Sequence, residues 1–289
     1  MEVKERAAAK INLGLDVLNK REDGYHDVET IMVSVDLADY LIFKDRHDGK
    51  IEIKTENSFL PLDERNHIYQ AVCLMKEAFH QSQGVTIELI KKIPVSAGMG
   101  GGSSDAAATL RGLNRLWNLE APLAKLAEIG AEIGADVPYC LYEHVAYAKG
   151  IGNELCLLPD IPSCWILLVK PAVSISTPKI FDQLCLEQIC HPDIDRLRQA
   201  IEEGDFTLLC QHAENVLETV TTLECEELCK IRKTLEKTKA QAVVMSGTGP
   251  TMVGLFKTHR QAIQAQNAIR GFCKESYLVR PLKNQRKDD

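Results

Sequence analysis

Pro94-Val95-Ser96-Ala97-Gly98-Met99-Gly100-Gly101-Gly102-Ser103-Ser104-Asp105 sets four glycines and a serine pair between two segments of opposite periodicity. Residues 85–90, Val-Thr-Ile-Glu-Leu-Ile, alternate apolar with polar side chains, the period of a half-buried strand. Beyond the glycines, Ala106, Leu110, Leu113 and Trp117 recur at helical spacing. Without Cβ atoms, Gly98, Gly100, Gly101 and Gly102 let the chain turn sharply, visit positive φ and aim several N–H donors at one anion. A helix starting near Ser103 adds unpaired N–H groups and the positive end of its dipole. Ser103 and Ser104 offer hydroxyls to phosphate oxygens or to a metal ion beside them. A bare Gly/Ser run is a linker; between a strand and an amphipathic helix it reads as a phosphate cradle. It lacks the Gly-Lys-Ser/Thr ending of a Walker A loop, and it is not a Gly-x-Gly-x-x-Gly turn after a first strand, so ordinary P-loop and Rossmann readings are disfavoured.

At 289 residues the chain is long enough for one large or two ordinary domains. Its composition, 45% hydrophobic and 26% charged, is that of a globular protein rather than a low-complexity one. A formal charge of −7 argues against general affinity for nucleic acid or anionic membrane, both of which attract basic surfaces. The longest apolar run, around residues 164–169, is far short of the roughly 20 residues that a bilayer demands. Charges occupy the place where a signal peptide would carry its apolar segment, so a cytoplasmic location is expected. The ten cysteines form no Cys-x-x-Cys pair and read as free thiols, with no structural metal.

Strands are predicted over 2–7, 11–19, 26–35, 39–44 and 50–55, and helices over 66–81, 103–117 and 122–133. Prolines flank a break at 159–162. Beyond it, strands are predicted over 165–170, 241–245, 251–256 and 277–282. Helical stretches are predicted to start at Pro178, Pro192, Asp205 and Glu226, with another over 260–272. Mixed strands and helices imply an α+β protein of two domains, 1–158 and 163–283, followed by a polar tail at 284–289.

Four segments together resemble the GHMP small-molecule kinases: residues 7–17 (AAAKINLGLDV), the glycine loop, residues 133–140 (IGADVPYC) and residues 245–256 (MSGTGPTMVGLF). The resemblance implies a two-domain GHMP fold. Its N-terminal part would be like the second domain of a small-subunit ribosomal protein, and its C-terminal part would have ferredoxin-like α/β layers. It also implies ATP with Mg²⁺. Residues 20–32 (KREDGYHDVETIM) narrow the resemblance to the branch that phosphorylates the 2-hydroxyl of a cytidine diphosphate-linked methylerythritol. That small-molecule substrate is the expected partner of a monomer or homodimer with no nucleic-acid or membrane partner.

Carried over residue by residue, the resemblance makes Lys10 and Asp136 the catalytic pair. It makes residues 94–104, quoted above, the ATP loop, with Ser104 beside the magnesium. Asn12, Tyr25, His26 and Phe181 would hold the substrate, with aromatic faces stacking on the base and imidazole bonding its edge. Read without the resemblance, Lys10 is a solvated lysine, Asp136 a helix cap before Val137-Pro138, Phe181 a core side chain, and residues 246–250 a β-turn. The chain departs from the family pattern at Ala8, where proline is usual, and at Glu143, His144 and Asn153. A carboxylate at Glu143 aimed inward would repel a diphosphate. Two other readings stay open: a GHMP kinase for a different hydroxyl acceptor, and a catalytically silent nucleotide sensor.

Overall fold

The computed structural model describes residues 1–283, so the tail at 284–289 lies outside the described residues. The chain forms two compact units, and neither is contiguous in sequence. The first comprises Met1–Ala9, Leu37–Val95 and Gly100–Glu143; the second comprises Lys10–Asp36, Ser96–Met99 and the chain from His144 onward. The break expected at 159–162 lies inside the second unit.

The four strands expected before residue 45 are two long ones, β1 (Glu2–Lys20) and β2 (His26–Arg46), which pair with each other. Each runs through both units, because residues 7–17 and 30–35 are buried almost without alternation and no turn interrupts them. In the first unit the C-terminal half of β2 pairs antiparallel with β4 (Gly84–Ile90), Phe43 opposite Ile87, and β4 pairs parallel with β3 (Ile51–Thr55). Against these strands pack α1 (His67–Ala78), α2 (Gly101–Leu116), α3 (Leu123–Ala131) and α4 (Val137–Tyr142). Asn66 caps α1 by accepting from the Ile68 N–H, and Ile68, Ala71, Val72 and Met75 form its buried stripe. The N-cap of α2 is Gly100, at φ 66° and with no side-chain cap, so the glycine loop leaves the N–H groups of that end without a side-chain partner.

In the second unit the N-terminal half of β2 pairs with β5 (Ala146–Lys149), Ile31 opposite Tyr147, and β5 with β6 (Glu154–Leu157). Next come β7 (Trp165–Lys170), α5 (Thr177–Gln183), α6 (Ile194–Glu203), α7 (Phe206–His212), α8 (Glu218–Glu224) and α9 (Glu226–Lys237). The chain continues through β8 (Ala242–Met245), β9 (Met252–Phe256), α10 (His259–Arg270) and β10 (Glu275–Val279). Antiparallel strands in the order β10-β7-β9-β8 form a sheet whose core includes Leu167, Val169, Met252 and Phe256 with Leu228, Ile231, Leu235 and Ile269 from α9 and α10. Among the described residues no helix is long and apolar enough to cross a membrane.

Close packing in the first unit centres on Gly112 of α2, where a Cβ would lie 2.4 Å from Phe43 Cε2 and 2.7 Å from Cζ. Gly112→Ala gains about 1 kcal/mol of helix propensity. It loses more by displacing the fully buried Phe43 ring, since overpacking costs about 1–3 kcal/mol. Urea unfolding is therefore expected to show a net loss of stability; a gain would mean that the ring yields freely.

Candidate functional site

Strand β1 carries Lys10 and Asn12 in a buried stretch of the second unit, which excludes a solvated lysine: Lys10 is 5% exposed. Its N–H donates to the Met99 carbonyl at 3.1 Å, and its Nζ donates to Asn12 Oδ1 at 3.1 Å. Asn12 Nδ2 donates to Thr30 Oγ1 at 2.7 Å, and that hydroxyl donates to the Gly14 carbonyl at 2.6 Å. With its amide oxygen turned to the ammonium and its amide nitrogen anchored by a residue of β2, Asn12 orients Lys10. Thr30 has no motif around it, and only its place opposite β1 reveals it.

The glycine loop and the 246–250 turn meet in the same unit. Ser246 Oγ accepts from the Asn12 N–H at 3.2 Å and donates to the Gly98 carbonyl at 2.8 Å. A Cβ at Gly98 would lie 2.4 Å from the Ser246 carbonyl oxygen and 2.9 Å from that of Gly249, and Gly98 has φ 70°, so no other residue fits. Ala97 and Met99 are buried anchors, whereas Val95 and Ser96 are exposed. The segment is thus pinned at alternate residues, which leaves backbone between the pins accessible.

At the other end of β1, the 21–25 turn is closed by the Arg21 N–H bond to the Tyr25 carbonyl at 2.8 Å. It leaves Tyr25 62% exposed. His26 stacks on Phe181 of α5, ring centroids 5.0 Å apart and planes at 29°. Phe181 packs on the core cluster and also takes the His26 ring, so the core reading describes only part of its surroundings. Burial, with Lys20 nearby, lowers the His26 pKa, which keeps the imidazole neutral with one donor and one acceptor.

Asp136, Ser104 and the start of α2 belong to the first unit. Asp136 occupies the N-cap position of α4 but makes no side-chain cap hydrogen bond, so its carboxylate is not taken up by the helix. Ser104 is buried and its hydroxyl donates to the Ala8 carbonyl; Ser103 is half-buried and Gly102 exposed. Glu143 does not present a bare charge: it accepts from the Ala8 N–H at 3.4 Å and pairs with Arg111 at 3.2 Å and Arg6 at 3.5 Å. The two guanidiniums offset the repulsion expected from this residue. Asn153 is exposed at the Gly150 turn.

Sequence reading missed a buried cluster at the base of α2. Lys91 Nζ lies 2.6 Å from both Asp39 Oδ2 and Asp105 Oδ2, and would be 3.1 Å from a Cβ at Gly101. Asp39 Oδ1 also accepts the N–H groups of Lys92 and Ile93. Two carboxylates facing one ammonium leave an excess negative charge, and burial together with Asp39 pushes the Asp105 carboxyl up to about 8. Asp105 Oδ1 has no hydrogen-bond partner, which a protonated acid tolerates better than a carboxylate. The folded chain therefore holds a proton that the unfolded chain releases near pH 4, and stability falls as pH rises from there through about 8. Between pH 5 and 8 the urea midpoint should decline more steeply for the native protein than for Asp105→Asn; parallel profiles would assign the proton elsewhere.

The family model for the GHMP kinases N terminal domain matches residues 66–144, and that for the GHMP kinases C terminal matches 186–275. A 4-diphosphocytidyl-2-C-methyl-D-erythritol kinase of Enterococcus faecalis is 51% identical over 283 residues, covering 98% of this chain and 100% of that protein. The protein of the same name from Bacillus cytotoxicus is 46% identical over 282 residues, 98% of each chain. Among solved structures, a 4-(cytidine 5'-diphospho)-2C-methyl-D-erythritol kinase superposes with a TM-score of 0.82 at 30% identity, covering 96% of this chain and 99% of that one. A homoserine kinase from Cytophaga hutchinsonii superposes with a TM-score of 0.81 at 20% identity, covering 98% and 95%, a likeness of fold alone.

Proposed function

The chain belongs to the GHMP kinases, and from that footing we propose that it transfers the γ-phosphoryl group of ATP to the 2-hydroxyl of 4-diphosphocytidyl-2-C-methyl-D-erythritol. The products are the 2-phosphate and ADP. The observation that carries this reading is the end-to-end likeness, 51% over 98% of the chain, to a kinase named for that acceptor. The stack of His26 on Phe181 supports it, because aromatic faces and a neutral imidazole edge are what a pyrimidine needs. An entering cytosine displaces His26 from the Phe181 face, stacks there and on Tyr25, and accepts or donates at the imidazole edge.

Phosphoryl transfer passes through a loose transition state, so positioning and charge stabilisation supply most of the rate. Backbone N–H groups of the 94–104 loop and the uncapped start of α2 bind the β- and γ-phosphates. Lys10, held by Asn12, stabilises charge on the transferring oxygens. Asp136 orients the acceptor hydroxyl and takes its proton. Among the described residues no three His, Cys, Asp or Glu side chains group as a metal site, and Ser104 keeps lone pairs after donating to Ala8. These donors fit a magnesium ion carried mainly by phosphate oxygens and water, with at most a hydroxyl from the chain. Such an ion would be met by the Ser104 hydroxyl and would supply charge against that of the phosphates.

An ADP-release assay over a panel of acceptors tests the assignment. Turnover is expected with the cytidine diphosphate-linked polyol and not with homoserine, mevalonate or galactose; the reverse pattern moves the chain to another branch, and ATP binding without any acceptor-dependent turnover makes it a sensor. Asp136→Asn should lower kcat by about 2–4 kcal/mol of transition-state stabilisation while ATP still binds. Near-normal kcat in that variant would remove Asp136 from the chemistry.

A further inference from the structure

Ser246 is the hinge pin between Asn12 and Gly98, and its own turn bonds its backbone alone, the Ser246 N–H to the Thr251 carbonyl and the Gly249 N–H to the Ser246 carbonyl, each at 2.9 Å. That turn contains Gly247 and Gly249 at positive φ, residues that populate many conformations when unsupported. Gripping it from outside is Asn215, a buried side chain outside every motif of the sequence. Its Nδ2 donates at 2.7 Å to the Met245 carbonyl and at 2.7 Å to the Gly247 carbonyl, the carbonyls of the residues before and after Ser246. Its Oδ1 accepts from the Leu217 N–H at 2.9 Å, so donors and acceptor of the amide are all engaged and its orientation is fixed. Asn215 is itself tied to β1: it bridges Leu15, with Leu15 N–H bonded to the Glu214 carbonyl at 3.0 Å and Val216 N–H to the Leu15 carbonyl at 2.9 Å.

We propose that Asn215 is a positioning residue for phosphoryl transfer. It clamps the carbonyls of the two residues that flank Ser246, so that the Ser246 hydroxyl holds Asn12, and through Asn12 the Lys10 ammonium, against the glycine loop at Gly98. The assignment of a consequence for catalysis rests on the kinase reading above; the clamp itself does not. Two neighbours extend the same support. Glu218, held by Arg232 Nε at 2.6 Å, accepts the Met245 N–H at 3.1 Å, and Thr221 Oγ1 donates to the Thr248 carbonyl at 3.3 Å. Asn215 is the side chain that bonds the carbonyls of both residues flanking Ser246.

Asn215→Asp keeps size and shape but turns acceptors toward two carbonyl oxygens, replacing two hydrogen bonds by repulsion. Amide exchange read on the β1 peptide that contains Asn12 should accelerate at least tenfold in this variant, since the Asn12 N–H loses its Ser246 acceptor. In the ADP-release assay kcat should fall about 10–100-fold with KM for the cytidine substrate changed less than threefold, because His26 and Phe181 are untouched. Ser246→Ala should abolish most of the difference, so that the double variant resembles the single ones. Ile269→Val, a core change in the same unit, supplies a destabilised control whose kcat stays native. If Asn215→Asp does not fold, Asn215→Ala, which leaves the carbonyls unpaired but not repelled, is read in the same way with smaller effects. Unchanged exchange at Asn12 overturns the clamp whatever the substrate. Native kcat with accelerated exchange overturns its catalytic role, and additive losses in the double variant show that Asn215 does not act through Ser246. Absence of turnover in the native protein overturns the kinase reading and leaves the exchange result to judge the clamp.

Discussion

Close approach of two backbones at Gly98 governs the rest of the site. The carbonyl oxygens of Ser246 and Gly249 lie 2.4 and 2.9 Å from where a side chain would begin, so the glycine loop and the 246–250 turn are in contact only because residue 98 has none. From that contact the order passes outward by hydrogen bonds: Ser246 to Asn12, Asn12 to Lys10 and Thr30, and Lys10 back to Met99. Each link fixes one group that would otherwise rotate. The result is preorganisation, the property that a loose phosphoryl transition state rewards most.

Charge in the first unit is arranged on a second principle, that buried ions are paired or neutralised. Glu143 stands between Arg6 and Arg111, and Asp39 with Asp105 surrounds Lys91. Where two acids face one base, a proton makes up the difference. The N-terminal end of α2 therefore begins beside a cluster whose excess negative charge is offset by a proton on Asp105.

Local pattern made much of this legible in the sequence. The helix over 66–81 and the strand at Trp165–Lys170 were readable from apolar spacing, and the glycine loop from its neighbours. Continuity of β1 and β2 was not, because residues 7–17 are buried on both faces and lose the period of two, and because Asp39 looked like the edge of a strand until Lys91 and two N–H groups satisfied it. Helix α4 has only one and a half turns and carries a proline, which leaves no periodicity to read. At the candidate site, the residue types of the glycine loop pointed to phosphate, and the resemblance supplied Lys10, Asp136 and the base-binding residues. Thr30, Asn215 and the Lys91 cluster have no sequence pattern, since each is defined by partners far along the chain.

The interleaving of the two units bears on how such a protein is built and inherited. The polypeptide passes from one unit to the other after Ala9, Asp36, Val95, Met99 and Glu143, twice in mid-strand and twice within the glycine loop. A cut after Glu143 releases every segment of the first unit, but Lys10–Asp36 and Ser96–Met99 of the second go with it, so exchange at one junction cannot swap either unit alone for a relative's. The first unit has all its segments once synthesis passes Glu143, whereas the second waits for the chain beyond His144, and substitutions at the crossings stand under the joint constraint of both units.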